Sequence, residues 1–387
     1  MMSEPSQQKG SGGRPQIPAH ADHVGSLLRP AELKEARENA ESGATSASEL
    51  KAIEDRCIAG AIDSQIGAGL RTVTDGEFRR AYWHLDFLGA LEGLSLTREQ
   101  AMIPGTATRN AGFVHRHRLQ VTGRVAWQAP HPFVDHFRFV AAHAGAAMAK
   151  QTIPSPAFLH FRFGPQAVEA AGYRDMDTFL ADIAAAYADA VRAFAAAGCR
   201  YLQLDETTLA MLCDPAQVEQ AKQRGVFRDD LARDYARTIN AALRGRPADM
   251  IAAMHLCRGN FRSTWVASGG YESIADLLFN DIDVDAYFLE YDSERAGGFE
   301  PLRYLPKGKT VVLGLVTTKA GAMERRDDLR RLIDAAAKYA PLEQLAISPQ
   351  CGFASTEEGN TITEEQQWAK LRLCVEVARE VWGGSAA

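Results

Sequence analysis

Eight short apolar runs, most of them followed by a helical stretch, pace the chain from residue 23 to residue 349: HVGS, RTVTD, TIPSP, YLQLD, IAAMHLC, YFLEY, VVLGLV and LAISP. A strand that must cross over through a helix before the next strand pairs in parallel with it. Eight such units predict an α/β fold, specifically a (β/α)8 TIM barrel. Helices are expected over 46–68, 176–197, 215–243, 271–279, 324–339 and 363–382. A doubly wound sheet competes, but GAGLRT at 67–72 lacks the third glycine of a dinucleotide-binding turn. The rhythm is interrupted once. AGFVHRHRLQVTGRVAWQ alternates polar and apolar residues around Thr122-Gly123, which predicts a β-hairpin insertion after the second strand, near 110–128. The Gly-, Ser- and Gln-rich start predicts a disordered N-terminal tail over 1–19, and 20–387 reads as one domain.

Several function classes drop out. A net charge of −6 offers no basic excess for nucleic acid. No run of about 18 apolar residues exists to span a membrane. The first residues lack the apolar core of a signal peptide, so a cytoplasmic location is expected. Six cysteines in 387 residues do not form a disulfide framework.

In a barrel, chemistry collects where the strands end. Those positions hold Ser26, Asp75, Glu77, Asp205, Glu206, His255, Cys257, Glu290, Asp292 and Cys351. His255 and Cys257 lie two apart on a strand and so share one side. Glu290 ends the next strand and Cys351 follows the last. One imidazole, one carboxylate and two thiolates suit Zn²⁺ in a tetrahedral site better than Mg²⁺ or Ca²⁺, which take all-oxygen shells. Ligands this far apart in sequence suit a catalytic site rather than a structural zinc knot.

Six motifs in order, HVGS, DGEF, QLDE, HLC, LEYD and QCG, resemble the catalytic barrel of the cobalamin-independent methionine synthase family, closest to its short single-barrel members. The resemblance implies zinc held by His255, Cys257, Glu290 and Cys351, and a homocysteine amino-acid group held by Ser26, Glu77 and Asp205. It implies transfer of a methyl group from 5-methyltetrahydrofolate or a methylcorrinoid to a zinc-activated thiol, giving methionine. Glu290, as the ligand an incoming thiol displaces, and Asp205 are then catalytic. The chain departs from the longer family members after the seventh strand, where a histidine-serine pair is replaced by Thr317, Thr318 and Lys319. Lys319 is therefore the candidate for supplying charge or a proton there. A sister reading in the same fold alkylates another thiol, such as coenzyme M, and would draw on Arg29, Arg79, Arg80, Arg162 and Arg258 for a sulfonate. The partners expected are a small-molecule thiol and a methyl donor, with no nucleic acid and no membrane; homo-oligomerisation is left open.

Overall fold

A computed structural model describes residues 14–102 and 113–383. Among the described residues there are ten strands: β1 (Thr72–Val73), β2 (Glu92–Met102), β3 (Phe113–Ala126), β4 (Met148–Ala149), β5 (Gln151–Pro154), β6 (Tyr201–Glu206), β7 (Ile251–Leu256), β8 (Ala286–Glu290), β9 (Thr310–Val316) and β10 (Leu345–Pro349). Strands β5 to β10 form one parallel sheet in sequential order, as strand-helix alternation predicts. Every residue of β5 to β10 is buried. Parallel strands covered on both faces need apolar residues on both, and two separate cores result. Tyr201, Ile251, Ala253, Ala286, Phe288, Val312 and Ala346 pack with Val24 inside the sheet. The alternate residues, among them Leu202, Ala252, Met254, Leu289 and Leu313, pack in the larger core that takes in the helices.

The helices used below are α1 (Ala31–Glu41), α2 (Ala47–Gly67), α3 (Leu85–Leu88), α4 (Pro132–His143), α5 (Ala157–Ala170), α6 (Met176–Ala196) and α7 (Thr208–Met211). Helix α2 begins with a capping box, Ser46 accepting from Glu49 N while Glu49 returns to Ser46 N, which satisfies two otherwise orphaned donors. The stretch expected as one helix over 215–243 is two, Pro215–Gln223 and Leu231–Ala242. The helix expected over 271–279 is a 3₁₀ turn at Tyr271–Ile274 and a π-turn at Leu277–Asp281. No helix among the described residues is long and apolar enough to cross a membrane.

Three expectations need correction. The closed eight-stranded barrel is not formed as a continuous ladder. The first run, HVGS, is not a strand: its neighbourhood makes one parallel bridge, Ala21 to Ile347 of β10. The second, RTVTD, contributes only β1, paired with β4. Between these two segments the contacts are Thr72 Oγ1 to Asp22 Oδ1 (2.5 Å), Thr74 Oγ1 to the Gly25 carbonyl (2.7 Å) and Leu27 N to the Gly76 carbonyl (3.0 Å). Side chains and one backbone bond stand there in place of a ladder.

The hairpin is also different from the one expected at 110–128. Thr122 and Gly123 lie inside β3, which pairs antiparallel with β2. The register shifts between Glu92 and Leu94, opposite Ala126 and Val121 respectively. Gly93 occupies that irregularity at φ +78°, and a Cβ there would stand 2.1 Å from the Arg124 carbonyl oxygen. The segment joining β2 to β3 lies outside the described residues. Finally, residues 1–13 of the expected tail lie outside the described residues, but 14–19 are held to the body. Arg14 pairs with Asp283 (2.7 Å) and Asp285 (3.2 Å), and Gln16 Nε2 donates to the Gly308 carbonyl (3.0 Å).

Candidate metal centre

His255 and Cys257 leave β7 in phase with Ile251 and Ala253, residues of the interior core. Glu290 closes β8 in phase with Ala286 and Phe288. Cys351 is the exception: its odd number is out of phase with Ala346 of the same core. The register of β10 slips by one against β9, Ser348 opposing Gly314 and Pro349 opposing Val316. The extra residue, Leu315, is on β9, so the phase of β10 is unchanged; Cys351 lies two residues past the end of β10, and the loop there, not strand alternation, turns it to the cluster.

One ligand atom from each of His255, Cys257, Glu290 and Cys351 comes within 4.8 Å of all the others, and all four residues are buried. The two sulfurs are 3.6 Å apart and unbonded. Two zinc-bound thiolates in a tetrahedron would stand about 3.8 Å apart. His255 Nδ1 lies 3.4 Å from Asp205 Oδ1, while Nε2 is buried without a hydrogen-bond partner among the described residues. A ligating histidine has this arrangement, one nitrogen on a carboxylate and the other free for the ion. Glu290 Oε1 accepts from Arg258 N (2.8 Å) and Oε2 from Arg295 (3.2 Å). The donor set and its spacing fit zinc.

Without a cation the protons redistribute. Burial pulls the His255 imidazole down, but the Asp205 carboxylate and the Cys351 sulfur outweigh it and hold it up, at about 10. Cys257 donates to Cys351, which with the imidazole lowers the Cys351 thiol well below its usual range and raises Cys257. Burial, then the Cys351 charge, raises Glu290.

His255, Cys257 and Cys351 open on a cleft of about 410 Å³ whose walls include Ser26, Glu77, Asp205 and Trp83, with Glu290 behind them. Glu77 Oε1 accepts from Arg80 (3.1 Å) and Thr152 Oγ1 (2.9 Å), and its Oε2 is buried without a partner among the described residues. Burial pushes the Glu77 carboxyl up to about 7, against the pull of Arg80 and with help from Asp205. Asp205 Oδ1 accepts from Gln203 (2.7 Å). Ser26 abuts Gly352, where a Cβ would meet Ser26 Oγ and stand 3.1 Å from its Cβ, so a side chain there would push the Ser26 hydroxyl aside. Glu206 faces the other way, its Oε1 accepting from Thr208 N and Leu209 N (2.9 Å) at the start of α7.

Ser26, Glu77, Asp205, His255, Cys257 and Cys351 therefore meet at one cleft with Glu290 beside them, Glu206 turns away, and Lys319 lies in the loop after β9. The five arginines considered for a sulfonate do not line the cleft. Arg29 bonds backbone carbonyls, Arg79 pairs with Glu54 and Asp55, and Arg258 lies 4.3 Å over the Tyr271 ring. Arg80 holds Glu77, and Arg162 faces a second cavity. Sequence reasoning missed Asn260 and Arg295. Asn260 lines the cleft and donates to the Gly352 carbonyl (2.7 Å). Asn260 sits on an irregular loop and Arg295 in a single 3₁₀ turn, Glu294–Ala296, neither long enough to show periodicity, and their place just after a strand end was the only signal.

The second cavity, about 1830 Å³, carries Arg118, Arg162 and Arg262 with Tyr82, Phe158 and Phe261. It shares two loops with the cleft. One gives Trp83 to the cleft and Tyr82 and His84 to the cavity; the other gives Gly259 and Asn260 to the cleft and Phe261 and Arg262 to the cavity.

Residues 20–380 match the model of the cobalamin-independent synthase catalytic domain. The uncharacterised protein YxjG of Bacillus subtilis is 45% identical over 382 residues, 98% of each chain. A Saccharolobus solfataricus methionine synthase is 22% identical over 334 residues, 85% of this chain and 86% of its own. The solved structure of a Listeria monocytogenes protein, assigned as a vitamin-B12 independent methionine synthase, superimposes with a TM-score of 0.75 at 36% identity, covering 95% of this chain and 99% of that one. With six motifs meeting around one cleft and a family match that runs nearly end to end, the chain belongs to the cobalamin-independent methionine synthase family.

Proposed function

We propose that this protein methylates homocysteine to methionine in a zinc-dependent reaction, with 5-methyltetrahydrofolate as the donor. The observation that carries the reading is the single cleft where four zinc-type donors meet two buried carboxylates. Zinc held by His255, Cys257, Glu290 and Cys351 supplies a Lewis acid that lets a thiol shed its proton and act as a nucleophile at neutral pH.

The chain's own groups do the rest. Glu77, through its unpartnered Oε2, and Asp205 take the substrate ammonium by charge-assisted hydrogen bonds. Ser26 Oγ stands on the same wall for the carboxylate. Asp205 also fixes the ring of His255, so one carboxylate joins the amino-acid site to the ligand set. Glu290 would be the carboxylate donor of the set, and Arg258 N and Arg295 hold it in place whether or not it is bound to the ion. On the donor side, Tyr82 and Phe158 suit a flat ring and Arg118, Arg162 and Arg262 suit carboxylates. A cleft walled by acids and free of arginine speaks against a sulfonate-bearing thiol.

The test is methionine formation by the zinc-loaded protein from homocysteine, with methyltetrahydrofolate (mono- and triglutamate) and methylcobalamin in parallel. Methyltetrahydrofolate should serve, and Cys351→Ser should lose zinc and activity together. Methionine from methylcobalamin alone would replace the donor. No methionine from any donor, in protein still holding one zinc, would sink the reading.

A further inference from the structure

The ligands come from strands that are not all neighbours. In the sheet order β7-β8-β9-β10, His255 and Cys257 follow β7, Glu290 ends β8 and Cys351 follows β10. Strand β9 lies between the last two and supplies no ligand. It delivers Lys319 instead, three residues beyond its end.

The loop that carries Lys319 is pinned on each side. Thr318 donates through N (3.2 Å) and Oγ1 (2.7 Å) to Oε1 of Gln350, the residue before Cys351. Thr317 N donates to Glu324 (2.9 Å), which Lys370 holds in turn. Asn360 Nδ2 donates to the Thr318 carbonyl (2.9 Å). The Lys319 ammonium nevertheless finds no hydrogen-bond partner among the described residues, although its nitrogen is buried. A buried ammonium without an acceptor is costly. Of the other nearby cations, Arg295 bonds Glu290 and Asp292, while the Arg258 guanidinium, likewise without a hydrogen-bond partner among the described residues, lies over the Tyr271 ring. The charge of Lys319 is felt at Cys257, Glu290 and Cys351 alike.

We propose that Lys319 is a cation reserved for the incoming substrate sulfur, and that it sets affinity for the thiol rather than for the metal. This rests on the function proposed above. Two thiolates and a carboxylate around a dication leave one net negative charge, and a substrate thiolate adds another as its proton leaves to water. Lys319, whose charge reaches the ligand cluster from the loop after the one intervening strand, offsets that addition. Metal binding differs, since thiol protons leave as the dication enters and the local charge changes little.

The experiment uses the full-length protein loaded with Co²⁺, whose sulfur-to-metal absorption reports thiol binding without turnover. Homocysteine is titrated into wild type, Lys319→Met and Lys319→Arg, and metal content is measured in each. The expected result is full metal content in all three, a midpoint raised about tenfold or more in Lys319→Met, and recovery in Lys319→Arg. With zinc and a methyl donor the same change should appear in KM for homocysteine. Unchanged thiol binding in Lys319→Met would overturn the proposal alone. Loss of metal from Lys319→Met would overturn it in favour of a structural role. No thiol-dependent absorption in wild type would overturn both this proposal and the function beneath it.

Discussion

Glu77 sits at φ +62°, directly after Gly76 at φ +63°, a left-handed conformation that a non-glycine residue adopts at a cost. Its amide donates to Asp75 Oδ1 (2.9 Å), and its carboxylate is gripped by Arg80 and Thr152. The strain and the burial both serve to aim one unpartnered oxygen into the cleft. Replacing Glu77 with Gln removes a charged acceptor worth about 1.5–3 kcal/mol, roughly ten- to a hundredfold in affinity. KM for homocysteine should rise by that factor while zinc content stays unchanged; loss of zinc instead would place Glu77 in the metal site. The pH dependence follows from the raised carboxyl, at about 7. Below that pH the folded protein carries a proton on Glu77 that must leave before an ammonium can bind. Affinity should therefore fall as pH drops through 7, by at most tenfold per unit, and level off above it. Glu77→Gln should flatten that limb, and an unchanged pH profile would assign the proton to another group. At this scale DGEF marked the residue, because a carboxylate after a strand end is visible in the letters. The left-handed backbone was not visible, since no pattern places a glutamate there.

At the scale of elements, the approach of β9 to its neighbours decides the site. A Cβ on Gly314 would meet Gln350 Cα at 2.7 Å and the Leu289 carbonyl at 2.9 Å, backbone atoms of the segments bearing Cys351 and Glu290. Gly314→Ala must push those segments apart, at about 1–3 kcal/mol for overpacking. Its melting temperature should fall, and chelator should strip its zinc more readily than from wild type. Gly60→Ala in α2, where a Cβ meets nothing within 4 Å, is the control and should stabilise by about 0.4–1 kcal/mol. If both variants hold zinc like wild type, the close approach does not govern the ligand geometry. The strands were legible because fully buried parallel strands leave unbroken apolar runs. The place of Cys351 was not, because it lies two residues beyond the end of β10, where no strand pattern remains to fix which way a side chain points. The hairpin failed for another reason. Thr122-Gly123 looks like a turn only until β2 is known to run alongside it, with Gly93 as the residue that must be small.

Across the whole molecule, no ladder joins the HVGS segment to the RTVTD segment, and polar side chains hold that seam. Asp22 Oδ1 accepts from Thr72 Oγ1 (2.5 Å) and Lys150 Nζ (3.1 Å), and Oδ2 from Tyr201 OH (2.7 Å). The Lys150 ammonium also donates to the His23 carbonyl and lies 4.5 Å from the Phe288 ring centroid. Both charged groups are buried, Asp22 at 1% and Lys150 at 2% exposure. Such a seam escapes sequence reading, because HVGS and RTVTD resemble strands while the contacts between them run through side chains. Removing one partner of a buried ion pair strands the other charge, at about 3–5 kcal/mol. Lys150→Met and Asp22→Asn should each lose stability of that order in urea unfolding, and the double variant should lose less than their sum. Additive losses would mean that the pair is not the unit holding the seam. The seam also separates the two halves of the site. Ser26 and Glu77 hang from its two edges, whereas the four zinc donors come from β7, β8 and β10 across the sheet. Under conditions where Lys150→Met remains folded, it should keep its zinc and lose affinity for homocysteine. Equal loss of both would show that the ligand strands depend on the seam as much as the amino-acid pocket does.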